Sequence, residues 1–160
     1  MASRKINPQR IVFAKNLPHK EHLARLRYAH LFLDTFNVNA HTTASDSLWA
    51  GVPVVTKIGE QFAARVAASL LAAVGLSELV TETEQEYENL ILEIATDPEK
   101  HRTIKEKLAH NRITLPLFDT KRFTKNFEAC LVIAHERYAK GEPPENIRLD
   151  SSGSFTNKER

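Results

Sequence analysis

Asn39-Ala40-His41-Thr42-Thr43-Ala44-Ser45-Asp46-Ser47-Leu48-Trp49-Ala50-Gly51-Val52-Pro53-Val54-Val55-Thr56 holds a helix followed directly by a strand. Residues 43–50 read as a short helix, with Leu48 and Trp49 facing inward. Gly51 is placed to end it, because glycine takes the left-handed conformation at a helix C-terminus at little cost. Pro53-Val54-Val55-Thr56 reads as a strand, with its proline at the start, where the missing N–H is tolerated. Just upstream, Leu31-Phe32-Leu33 reads as a second short buried strand, and residues 34–40 as a polar loop leading into the helix. This is a strand–helix–strand unit, and such a unit implies parallel pairing.

The pattern continues on both sides. Arg10-Ile11-Val12-Phe13-Ala14 is a compact apolar run that reads as a buried strand. Leu17-Pro18 breaks it, and residues 19–29 read as a helix with Leu23 and Leu26 on one side. Downstream, Phe62, Val66, Leu70 and Val74 recur every four positions, which predicts one helix over 60–74, stopped by Gly75. Glu78-Leu79-Val80 reads as a fourth strand. Tyr87, Leu90, Ile91 and Ile94 form a helical stripe, Pro98 opens a helix to about residue 111, and Phe123, Phe127, Leu131, Ala134 and Tyr138 make a last amphipathic helix. Short apolar strands alternating with helices predict a partial Rossmann-like, doubly wound parallel sheet, incomplete at its N-terminal side, with a C-terminal helical segment. The expected organisation is a leader over 1–8, one α/β lobe over 9–140, and a flexible tail over 141–160.

Composition removes several classes of function. The 22 basic and 20 acidic residues nearly cancel and are mixed along the chain, so neither nucleic acid nor an acidic membrane is the expected partner. The single cysteine, Cys130, allows no intrachain disulfide and no multi-thiolate zinc site. It sits on the inward stripe of the last helix and reads as core rather than as a nucleophile. No stretch approaches the ~20 apolar residues needed to cross a bilayer, and no secretory signal is evident, so the expected location is the cytoplasm.

The chemistry is concentrated at the start of the central helix. A parallel sheet binds ligands at the carboxyl ends of its strands. A helix that begins there presents free N–H groups and the positive end of its dipole, which suits a phosphate. Thr42 and Thr43 add two hydroxyls at that point, and Asp46, one turn on, can accept hydrogen bonds from a ribose. The simpler alternative is that Thr42 or Thr43 only caps the helix. No Ser-His-Asp arrangement follows from the spacing, and no carboxylate pair has metal spacing.

The run 39–56, with Gly59 and with Phe62-Ala63-Ala64-Arg65-Val66-Ala67-Ala68-Ser69, resembles the C-terminal lobe of the O-GlcNAc transferase and SPINDLY family. The resemblance extends upstream to Arg10-Ile11-Val12-Phe13 and Leu17-Pro18-His19-Lys20-Glu21-His22. Downstream it includes Tyr87 and Pro116-Leu117-Phe118-Asp119. It implies a GT-B glycosyltransferase that holds a nucleotide-sugar between two lobes and transfers the sugar to a protein Ser or Thr by direct inverting displacement. UDP-GlcNAc is the favoured donor and GDP-fucose the alternative, with no metal and no other cofactor. By the same resemblance, His41, Thr42 and Thr43 hold the donor diphosphate and Asp46 binds the ribose. His22 stacks on the base, Arg25 lies close to that base, and the backbone around Leu17 reads its edge. Animal members carry lysine where this chain has His19, with the lysine here displaced to Lys20, so the ribose contact at that point departs from the pattern. Arg65 matches the family and is read as a helix anchor, with a surface role as the alternative.

The resemblance also places the candidate base and a diphosphate-neutralising lysine outside this chain, so no catalytic residue is assigned within it. The expected partners are a nucleotide-sugar, a protein acceptor and a separate chain supplying the N-terminal lobe. Two other readings stay open: a non-catalytic nucleotide-sugar binding module, and a truncated relic.

Overall fold

The computed structural model describes residues 7–150. Most of the expected leader and half of the expected tail therefore lie outside the described residues. Three parallel strands form the sheet, in the order β1-β2-β3: β1 Phe32–Leu33, β2 Val54–Lys57 and β3 Val80–Thr81. Phe32 pairs with Val54 and Leu33 with Val55 on one side of β2, and Thr56 pairs with Val80 and Lys57 with Thr81 on the other. The helices are α1 His19–Leu26, α2 Thr42–Ala50, α3 Val66–Ala73, α4 Glu84–Thr96, α5 Pro98–Thr114 and α6 Thr120–Ala139.

Val54 and Val55 are adjacent on β2, so their side chains point to opposite faces of the sheet. Both are fully buried. The sheet is therefore covered on both faces, as a doubly wound arrangement requires. The core joins these valines to Ala44 and Leu48 of α2, Leu71 of α3, Tyr87 and Ile94 of α4, and Ile104 and Leu108 of α5. Local signals fix the helix ends. Gly51 closes α2 in the left-handed conformation at φ 84°. Thr83 and Glu86 form a reciprocal capping box at α4. The amides of Glu82 and Thr83 hold the Glu86 carboxyl below its ordinary range. Asp97 caps α5, with Pro98 in its first turn.

Several expectations are corrected. The run 10–14 is not a buried strand: Pro8–Arg10 form a 3-10 turn, and Val12 and Phe13 are 83% and 93% exposed. An apolar run becomes a strand only when another strand receives its hydrogen bonds, and among the described residues none does. The sheet therefore has three strands among these residues rather than four, and Leu33 on edge strand β1 is exposed.

The helix expected over 60–74 is two pieces. A 3-10 turn at Phe62–Ala64 is separated from α3 by Arg65 at φ −124°. The break goes with a close backbone approach: Gly59 N donates to Ala64 O at 2.8 Å, and a Cβ on Gly59 would lie 2.6 Å from Ala64 Cβ. Phe62 is consequently turned outward. Residues 77–79 are a 3-10 turn, with β3 starting only at Val80.

Trp49 does not share the inward face of Leu48. Consecutive residues are about 100° apart on a helix, and Trp49 is 51% exposed, with its ring edge-on to Phe118 at 5.1 Å. The stripe of α6 also remains exposed, for α6 contributes no buried residue. Cys130 on that helix is half-buried.

Candidate functional site

Helix α2 begins just beyond the carboxyl end of β1, the end of a parallel sheet at which ligands bind. The connecting loop is held by hydrogen bonds along its whole length. Asp34 Oδ1 accepts from the amides of Thr35 at 2.9 Å and Ala40 at 2.6 Å. Asp34 Oδ2 accepts from Thr56 Oγ1 on β2 at 2.6 Å, and the Asp34 carbonyl accepts from the Tyr87 hydroxyl on α4 at 2.9 Å. Asn39 is buried; its side-chain amide donates to Thr35 O and its backbone N–H to Ala63 O, both at 2.8 Å. The Asn39 Oδ1 atom is buried without a partner.

The helix start itself is open. His41 occupies the N-cap position, and no side chain caps this end. Thr42 and Thr43 are the first two helical residues, so the simple capping alternative does not hold for either. All three residues, His41 to Thr43, are exposed. First-turn amides have no intrahelical acceptor, and no side chain takes those of Thr42 and Thr43, which bring two hydroxyls to the same turn. Asp46 lies three and four positions further on and shares their face of the helix. On the other side of His41, the Phe62 ring stands edge-on at 6.1 Å.

Helix α1 packs against α2. His19 Nε2 lies 3.4 Å from Asp46, whose carboxylate is far less exposed than the imidazole. His22 is three residues on from His19 and therefore on the same side of α1. Arg25 braces this region from below: one guanidinium nitrogen donates to His22 Nδ1 at 3.1 Å and the other to Lys15 O at 2.8 Å. Arg25 thus joins the ring of His22 to the backbone stretch 15–17, where Leu17 is half-buried. Lys20 is exposed and sits about 100° round the helix from His19, so it is His19 that reaches Asp46. Arg65 Nη1 donates to Gly59 O at 2.8 Å, a bond that ties the residue at the head of α3 back across the 3-10 turn. That is an anchoring role.

Around the α1–α2 pair the structure joins His19 to Asp46 and Arg25 to His22, while Thr42 and Thr43 share the helix face of Asp46 and His41 sits at the N-cap; among the described residues no hydrogen bond joins His22 or Arg25 to the threonine pair. A cavity of about 610 Å³ lined by Ile58, Phe62, Arg65, Val66, Ser69 and Leu70 meets this region at Phe62 without including the threonine pair. The sequence reading missed Asp34 and Thr56. Their only local signal is an aspartate directly after a strand and a hydroxyl in the middle of an apolar one. Among the described residues, no group of three or more His, Cys, Asp or Glu is arranged to hold a metal, and no helix is long and apolar enough to cross a membrane.

Comparison with known proteins gives a consistent picture. A family model described as Glycosyl transferase family 41 matches residues 1–127. The chain is 38% identical over 144 residues to the Caenorhabditis elegans UDP-N-acetylglucosamine–peptide N-acetylglucosaminyltransferase, covering 90% of this chain and 12% of that protein. It is 35% identical over 149 residues to the Arabidopsis thaliana protein named probable UDP-N-acetylglucosamine–peptide N-acetylglucosaminyltransferase SEC, covering 92% of this chain and 15% of the other. Its fold is similar to that of a solved mutant of Thermobaculum terrenum O-GlcNAc transferase, with a TM-score of 0.74 and 30% identity over 85% of this chain and 25% of that one. The chain thus spans 12–15% of the length of these two curated relatives.

Proposed function

The chain belongs to glycosyl transferase family 41, and from that premise we propose that it is the donor-binding portion of a nucleotide-sugar-dependent transferase acting on protein Ser or Thr. The observation that carries the reading is the uncapped start of α2, where Thr42 and Thr43 share a helix face with Asp46 and His19 of α1 stands 3.4 Å from that aspartate. The first-turn amides, the helix dipole and the two hydroxyls are donors suited to a diphosphate, and they need no metal to neutralise it. Asp46, with His19 at its edge, takes the ribose hydroxyls. His22, held by Arg25, covers the face of the base, and the backbone near Leu17 meets the base edge. The relatives' printed names favour UDP-N-acetylglucosamine as donor, with GDP-fucose as the alternative.

In the complete reaction the acceptor hydroxyl displaces the nucleoside diphosphate at the anomeric carbon, with inversion. The donors at α2 stabilise the negative charge that develops on the departing diphosphate. None of the residues gathered here is placed as the base, so efficient transfer requires a second lobe from another polypeptide segment, and this chain alone binds donor with little turnover. The non-catalytic reading shares the same pocket and differs only in the second lobe never being supplied.

Calorimetry with UDP, uridine and GDP tests the binding step. UDP should give saturable one-site heat, and uridine, lacking the diphosphate, should bind at least tenfold more weakly, a difference of about 1.4 kcal/mol. Equal affinity for the two would remove the diphosphate from the account, and no heat with any nucleotide would leave the relic. Transfer of radiolabelled sugar from UDP-N-acetylglucosamine to a protein acceptor then separates enzyme from binding module.

A further inference from the structure

Asp34 is 5% exposed and forms five hydrogen bonds that converge from three elements. Its N–H donates to Val55 O, its carbonyl accepts from Tyr87, and its carboxylate accepts from Thr35 N, Ala40 N and Thr56 Oγ1. The bond to Ala40 closes the loop 34–40 on itself, one residue ahead of the N-cap His41. The bond to Thr56 ties that closed loop to the central strand. A buried carboxylate is tolerated only where donors fill its lone pairs, and here three fill them.

These bonds have a consequence for the helix start. Of the loop amides, those of Thr35, Asn39 and Ala40 are already bonded within the protein. The next donors in sequence are those at the beginning of α2. Ala40, held by the 2.6 Å bond to Asp34, directly precedes the N-cap His41 and so that first turn. Charge alone would argue against an acid so close to a diphosphate. Its three donors and its burial below the loop direct its lone pairs inward, toward Thr35, Ala40 and Thr56.

We propose that Asp34, clamped by Thr56, is a positioning residue that sets the direction of the α2 start and thereby the affinity of the site for a nucleoside diphosphate. This deepens the donor-site reading and rests on it. Asp34 touches no ligand; it acts through Ala40.

The test uses the full chain with Thr56→Val, which removes the hydroxyl at nearly constant volume, and Thr56→Ser, which keeps it. Affinity for UDP and ¹⁵N amide spectra are measured at a temperature where thermal melts show each variant folded. A purely structural bond would lower the melting temperature and leave the affinity of folded protein unchanged. Positioning predicts that Thr56→Val weakens UDP binding at least fivefold, moves the amide resonances of Ala40, Thr42 and Thr43, and leaves those of α5 in place. Thr56→Ser should restore both. A folded Thr56→Val with wild-type affinity, or with unmoved α2 amides, overturns the proposal. Should Thr56→Val not fold, Asp34→Asn, which forfeits one acceptor arm, is read in the same way. Absence of UDP binding in the wild type would refute the donor-site reading, and the amide response would then decide on its own whether Asp34 orients the helix start.

Discussion

Helices α2 and α6 both carry apolar residues that read as an inward face, and they behave differently in the fold. α2 has nine residues and buries Ala44, Ser47 and Leu48. α6 has 20 residues with a clearer apolar stripe and buries none, leaving Phe123 and Phe127 stacked 6.0 Å apart in the open. A short helix is marginal alone and forms because its face is packed. α2 is enclosed by β2, α3 and α5, and its two ends are fixed by the Asp34 loop and by Gly51. α6 meets mainly the 3-10 turn Pro116–Phe118. Periodicity therefore tells which face of a helix is apolar and leaves open whether anything covers it.

The contrast can be tested by mutation. The largest effect belongs to Leu48→Ala, which empties a fully buried position in α2. It should cost about 3 kcal/mol, read as a shift in the urea midpoint with an unchanged slope. Next comes the anchor of the loop ahead of α2. Burial, and then the negative charge of Asp34, push the Tyr87 phenol up to about 12. Its folded value lies above the unfolded value of about 10, so its contribution to stability is intact below pH ~10 and is lost as pH rises toward ~12. Denaturant midpoints across that range should fall for the wild type, and Tyr87→Phe should flatten the decline.

Gly51→Ala should cost about 1 kcal/mol by thermal melt. Its φ is 84°, while the nearest atom to an added Cβ, Arg112 Nη1, is at an ordinary 3.5 Å, so the penalty is conformational rather than steric. Smallest is Phe127→Ala on α6, which should change the stability of the isolated chain by no more than about 0.5 kcal/mol. A loss comparable to that of Leu48→Ala would show that the α6 stripe is covered in solution and would break the comparison.

How far the sequence could be read follows from the same distinction. β2, the Gly51 and Gly75 stops, α4 and α5 were legible because their signals are local: a β-branched run, a glycine taking positive φ, an apolar stripe at helical spacing, a proline at a helix start. The run 10–14 and the α6 stripe were misread as buried, because burial depends on a second surface that one segment cannot specify. Trp49 was misplaced by treating neighbouring apolar residues as one face. At the site, the threonine pair and Asp46 could be picked out by residue type and position, whereas His22 and Arg25 were named only through the family resemblance. The His19–Asp46 contact required knowing that α1 lies on α2, and the Arg25 brace required knowing how residue 15 folds back on α1. Asp34 was hidden because an aspartate in a polar loop looks like a turn residue, and the Thr56 that marks it as a clamp is 22 positions away.

The most direct test of the account is a calorimetric titration of UDP into the full chain and into the Thr42→Ala/Thr43→Ala double variant. Both side chains are exposed, so the variant should melt close to the wild type. The account predicts a saturable one-site isotherm for the wild type and at least tenfold weaker binding for the variant. A folded double variant that binds UDP as tightly as the wild type would contradict it.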